Sequence, residues 1–174
     1  MIINWRSIRA RLGKLRARFK HRHHNYNAWL HFGIADACNL RCSYCISDSP
    51  GFPAPKKTGG KIAEIRIDAL MHSLEQSGRI YRIVFAGSGE PFLIPNFIDA
   101  ICALTGKHLV GIHTNLTLKK PVFDLITRVR PERVLKIHAS AHLEELERTG
   151  RMDCFVSCFH GLQKNGFPVT AEAV

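Results

Sequence analysis

No apolar run in this 174-residue sequence approaches the roughly 20 consecutive apolar residues that a bilayer-spanning helix needs. The first 24 residues contain no acid, and they lack the apolar core of a secretory signal peptide. The six cysteines are not spaced as a secreted disulfide framework, because three of them fall within eight residues. These absences argue against a membrane-spanning helix and a disulfide scaffold. Hydrophobic residues make up 45% of the chain, which is ordinary for one folded domain with a real core.

Acids are scarce, 14 against 25 Lys and Arg, for a net charge of +11, but the excess is uneven. Residues 1–24 hold eight Lys or Arg, from Arg6 to Arg22, and so carry +8. The remaining chain carries only +3, so residues 25–174 are expected to form a mildly basic domain behind a basic segment. Ile8, Leu12, Leu15 and Phe19 recur there at helical spacing with basic residues between them. An amphipathic basic helix of this kind suits an anionic lipid surface, a nucleic acid or an acidic protein. A solvated helix or a loose arm explains the same pattern.

Beyond residue 24 the chain alternates strand-like and helix-like stretches. Ala28–Ala35 reads as a first strand, and the prolines and glycines between Pro50 and Gly60 read as loop. Strands are expected at Ile80–Ala86, His108–Thr114, Arg133–Ala139 and Phe167–Val174. Helices are expected at Ile62–Gln76, Pro95–Thr105, Lys119–Val129 and Leu143–Asn165, the last broken near Gly150. This alternation implies right-handed parallel crossovers and an α/β fold. Sites in such folds gather at the carboxyl ends of the strands.

The chemistry-bearing residues fall at those ends. Cys38, Cys42 and Cys45 follow the first strand in the spacing Cys-x3-Cys-x2-Cys. Three thiolates are an incomplete set for structural zinc, which takes four ligands. On a four-iron cubane they leave one iron open. Gly87-Ser88-Gly89-Glu90-Pro91 follows the second strand, Thr114-Asn115 ends the third and Ser140 the fourth. Asn115 also suits a turn, and Ser140 a helix N-cap ahead of Glu144 and Glu145. Alternation on the fourth strand puts Lys136, His138 and Ser140 on one face. On the third strand, His113 and Asn115 share a face with Gly111. Lys136, His138 and His113 are therefore candidate catalytic residues facing a substrate, with satisfied interior histidines as the plainer reading. Cys102, Cys154 and Cys158 lie in apolar helical surroundings and read as small hydrophobes.

The cysteine spacing, with the aromatic Tyr44 just before the third cysteine, resembles the radical S-adenosylmethionine (radical SAM) enzymes. The resemblance implies a [4Fe–4S] cluster on Cys38, Cys42 and Cys45, with SAM on the open iron. Gly87–Pro91 resembles the family's Gly-Gly-Glu-Pro motif, which would hold the SAM amino group. Tyr44 would then sit beside the adenine, and Thr114, Asn115 and Ser140 would contact the methionyl and ribose groups. The implied reaction is reductive cleavage of SAM to a 5′-deoxyadenosyl radical that abstracts hydrogen from a substrate the sequence does not name. A reductant such as a flavodoxin or ferredoxin, and a reducing cytoplasm, are implied with it. The implied fold is a partial (β/α) barrel related to the TIM barrel. About four βα units and a fifth strand are present, so the chain looks like a core truncated at its C-terminus or completed by another chain. The alternatives are an iron–sulfur protein for electron transfer or sensing, and an inactive fragment of such an enzyme.

Overall fold

The computed structural model describes residues 28–33, 37–45, 62–87 and 89–174. The basic segment 1–24, the loop 50–60 and Ser88 lie outside the described residues. Five strands form one parallel sheet in the order β1-β2-β3-β4-β5: Ala28–Gly33, Tyr81–Ala86, Leu109–Thr114, Val134–Ala141 and Val169–Ala173. Each crossover carries helix: α1 Ile67–Gln76, α2 Phe97–Thr105, α3 Lys119–Arg128, then the pair α4 Leu143–Arg148 and α5 Met152–Lys164. Right-handed crossovers that always step to the next strand place every helix on the same face of the sheet. The expected α/β partial barrel follows, with helices on its convex face and, among the described residues, none on its concave face.

The strand residues divide accordingly. Ile83, Phe85, Val110, Ile112, Ile137 and Ala139 enter the core with the helices. Phe97 of α2 meets Phe85 and Phe92 edge-on, at ring separations of 5.2 and 5.4 Å, the arrangement that ring quadrupoles favour. The partners that alternate with the core residues (His113, Lys136, His138 and Ser140) are exposed or half-buried. No helix among the described residues is long and apolar enough to cross a membrane.

Several boundaries differ from those expected. The helix expected from Ile62 begins at Ile67. Asn96 holds the lead-in extended, because its side chain accepts from the Ile65 N–H (2.9 Å) and donates to the Ile65 carbonyl (2.8 Å). Ile62 and Ile65 still pack on the core, so their helical spacing is met by an extended segment. The helix expected from Pro95 starts at Phe97 and is preceded by a 3₁₀ turn, Pro91–Leu93. Strand β4 runs to Ala141, two residues beyond expectation, because Ser140 and Ala141 pair with Glu172 and Ala173 of β5. Ser140 is therefore neither the strand's last residue nor a cap, and His142 holds the N-cap position of α4. The break near Gly150 is real: its φ of +63° turns the chain between α4 and α5.

Gly161 sets the approach of α5 to α3. A β-carbon there would lie 3.1 Å from Phe123 Cζ and 3.4 Å from Ile126 Cδ1. Phe123 is partly exposed and can yield to a methyl group, so Gly161→Ala should be close to neutral, the clash offset by a helix-propensity gain of up to about 1 kcal/mol. Gly161→Leu should cost about 1–3 kcal/mol by overpacking. Denaturant midpoints of the two variants check both expectations.

Candidate metal centre and cofactor rim

The loop after β1 carries Cys38, Cys42 and Cys45, and the structure braces it against three neighbouring strand ends. The first brace is Glu90, which is 1% exposed. Its N–H donates to the Ala37 carbonyl at 2.9 Å, immediately before Cys38. Its carboxyl accepts from Phe92 N–H (3.2 Å), Thr114 hydroxyl (2.8 Å) and Asn115 N–H (2.7 Å). Glu90 therefore ties the ends of β2 and β3 to the cysteine loop. Burial pushes its carboxyl up to about 7, although the three donors pull the other way.

Asn115 forms the second brace. Its amide nitrogen donates to Asn39 Oδ1 at 3.0 Å and approaches Cys38 Sγ at 3.8 Å. Its side-chain oxygen accepts from the N–H and hydroxyl of Thr117, at 3.1 and 2.6 Å. Asn39 in turn donates to the Thr117 hydroxyl at 2.6 Å. Asn115 is thus a turn residue, as the plainer reading held, and also a brace for the cysteine loop. The turn is tight: Leu116, between the two, takes a φ of +51°, and its N–H donates to Thr114 Oγ1 at 3.0 Å. A non-glycine residue persists in this region only where its neighbours fix it.

A third brace comes from α4. Glu145 accepts the Arg41 N–H at 3.1 Å and is gripped by Arg148 through two nitrogens, each at 2.8 Å. Those Arg148 bonds hold the Glu145 carboxyl below its ordinary range. Tyr44, 44% exposed, meets His142 Nδ1 at 3.0 Å and donates to the Val174 carbonyl at 3.2 Å. Sequence reasoning missed Asn39, Thr117, His142 and Glu145. The only signal for them was position, inside the cysteine motif or within four residues of a strand end.

The three thiols suit a shared inorganic centre. Burial raises the Cys38 pKa and lifts Cys42 to about 11, and the charges of Glu90 on Cys38 and of Glu145 on Cys42 raise these two further. A cationic centre would reverse that balance by taking the place of the protons. Leu40 N–H (3.5 Å) and the Asn115 amide already point donors at Cys38 Sγ, as an anionic sulfur requires. Among the described residues no three His, Cys, Asp or Glu side chains converge as ligands of one metal ion. Thiolates on separate irons of a cubane do not have to meet at one point, so the donor set fits a cluster better than a single ion. Beside the cysteine loop, Gly87 and Gly89 take φ values of +149° and +104°. These are glycine conformations, and they leave the backbone of the rim bare for a ligand.

Of the remaining expected residues, His113, His138 and Lys136 lie lower on the concave face, Ser140 lies near the end of β4, and Cys154 and Cys158 are in α5. His113 and His138 are register partners with ring centroids 4.9 Å apart, and His138 Nε2 lies 3.1 Å from Glu172 Oε2. Lys136 pairs with Gly111, and Ser140 with Glu172. Cys158 is buried in α5, while Cys154 donates to the Thr117 carbonyl at 3.4 Å.

Comparison with known proteins follows the same outline. The sequence model of the Radical SAM superfamily matches residues 33–174. Molybdenum cofactor biosynthesis protein 1 of Bos taurus is 33% identical over 97 residues, covering 54% of this chain and 14% of that protein. Dual-specificity RNA methyltransferase RlmN of Buchnera aphidicola is 31% identical over 77 residues, 43% of this chain and 21% of that one. Ribosomal RNA large subunit methyltransferase Cfr of Clostridium botulinum is 31% identical over 86 residues, 48% and 24% of the two chains. The matches thus span 14% to 24% of these relatives' lengths. The crystal structure of BtrN in complex with AdoMet and 2-DOIA superposes with a TM-score of 0.54 at 18% identity, covering 83% of this chain and 56% of that one. That likeness shows the fold.

Glu90 supplies a test of the rim. Its folded pKa near 7 exceeds the ordinary 4.5, so the folded chain holds a proton that the unfolded chain releases. The stability from this difference is fully present below about pH 4.5 and is lost as pH rises through about 7. Glu90→Gln should keep the fold and flatten the pH dependence. Glu90→Ala, which leaves the Thr114 and Asn115 donors unpartnered, should cost about 2–4 kcal/mol. Urea unfolding of all three proteins across pH 4–8 reads both effects.

Proposed function

The chain belongs to the radical SAM superfamily, and from that premise we propose that it holds a [4Fe–4S] cluster and S-adenosylmethionine to generate a radical against a substrate on the concave face. The carrying observation is the cysteine loop: three thiols within eight residues, braced at the carboxyl rim by Glu90, Asn115 and Glu145. Cys38, Cys42 and Cys45 would each ligate one iron and leave the fourth for SAM. Bound together, the cluster and SAM supply one-electron cleavage of SAM to methionine and a hydrogen-abstracting 5′-deoxyadenosyl radical.

The chain's own residues position and shield. Gly87 and Gly89 present bare backbone to the SAM ammonium group. Glu90 has both oxygens engaged by β3 and the turn before α2, so its main part is to hold the rim in place. It is a positioning residue. The Tyr44 ring, held by its hydroxyl and by a tilted contact with the His142 ring at 5.8 Å, is 44% exposed and could meet an adenine. Thr114 points to Glu90 on the core side and the Asn115 amide is engaged with Asn39 and Thr117, so the half-buried Ser140, one residue before the end of β4, is the most open of the three. A separate one-electron donor of the flavodoxin or ferredoxin kind completes the scheme.

Electron paramagnetic resonance of the anaerobically reconstituted, reduced protein tests this. A cubane signal that changes on adding SAM, with about four irons per chain, is the expected result. Cys38→Ala, Cys42→Ala and Cys45→Ala should each abolish the signal, and Cys102→Ala should leave the iron content unchanged. A signal indifferent to SAM would overturn the cofactor half of the reading, and failure of any cluster to assemble would overturn all of it.

A further inference from the structure

The concave face carries cationic groups well below the rim. Strand register places His31, Val84, Gly111 and Lys136 in one row across β1 to β4. The next row toward the rim carries His113, His138 and Thr170 across β3 to β5. Arg82 shares this face one row lower on β2. The one carboxylate in these rows and their continuation is Glu172 of β5, 68% exposed and engaged with His138 Nε2. Gly111 contributes no side chain, and the buried Val84 beside it packs over its backbone, where a β-carbon would lie 3.4 Å from Val84 Cγ2, so the floor next to Lys136 is low and apolar. His31, His113 and Lys136 are exposed, and His138 is half-buried.

A cation has no place here. Lys136 cannot ligate a metal and repels one, and among the described residues no metal-binding group of three forms. The Lys136 ammonium offers only N–H donors, and each imidazole can turn an N–H toward the same point, the complement of an oxyanion. We propose that this face takes an anionic group of the substrate, a phosphate or a carboxylate, between Lys136 and the His113–His138 pair. The proposal rests on the radical SAM reading, which puts the substrate over this face. His113 supports it: burial lowers its pKa, and the charges of His138, Lys136 and His31 lower it further. A seated oxyanion would relieve that repulsion and raise the pKa again.

The test uses the full chain without cluster or SAM. Histidine ring signals are followed by NMR against pH while inorganic phosphate, or separately acetate, is added at constant ionic strength set by chloride. Saturable binding that raises the His113 pKa by roughly half a unit or more is expected. Lys136→Ala, at an exposed position that should not disturb folding, is expected to weaken binding at least about tenfold. A response to phosphate alone assigns a phosphorylated substrate, and a response to acetate as well extends the class to carboxylates. No saturable response, or one unaltered by Lys136→Ala, overturns the proposal. So does displacement of phosphate by SAM, which would give the face to the cofactor's own carboxylate. A chain whose cluster responds to SAM while His113 ignores phosphate loses only this proposal. Phosphate binding without a cluster leaves the oxyanion site standing and removes only the radical chemistry.

Discussion

Glu90 joins three pieces of backbone that nothing else on the rim connects so directly. Its amide holds the Ala37 carbonyl, and its carboxyl holds Thr114, Asn115 and Phe92. A buried carboxyl is costly unless its oxygens are filled, and here each oxygen accepts a hydrogen bond from the end of β3. That arrangement fixes where β3 stops. It also fixes the turn through Leu116, from which Asn115 reaches back to Asn39 and Cys38. The geometry of the cysteine loop is therefore inherited from a side chain that does not belong to the loop.

The second constraint is the one-way winding of the sheet. With strands in sequential order, the helices occupy one face, and their core takes Ile83, Phe85, Ile112 and Ile137. The opposite face is left to short or polar side chains such as Gly111, His113, Lys136 and His138. The rim and this face together give one side of the molecule two kinds of chemistry: soft sulfur donors above, and the N–H donors of Lys136 and the imidazoles below. A substrate over that face would lie between them.

Much of this was legible residue by residue. The Cys-x3-Cys-x2-Cys spacing, Gly87 to Pro91 and the alternation of Lys136, His138 and Ser140 are local patterns, and local patterns survive into the fold. Helix starts were less legible. Ile62 and Ile65 repeat at helical spacing, yet Asn96, 31 residues beyond Ile65, holds that stretch extended. The end of β4 was misjudged because pairing with β5, not propensity, decides it. Glu145 reads as an ordinary first-turn acid until the tertiary fold sets Arg41 beside it.

The sequence by itself determined the family, the alternation of strands and helices, and the identity of the thiols. Each of these follows from residue type and short spacing, which chain neighbours alone encode. The tertiary structure alone decided that the Glu90 carboxyl ties β3 to the turn after β2, and that Asn115 braces Cys38. It also decided that His113 and His138 stand 4.9 Å apart beside Lys136. Those facts depend on register between strands that are distant in the chain. Register is set by which faces can be buried together, a property of the whole sheet and of no single segment.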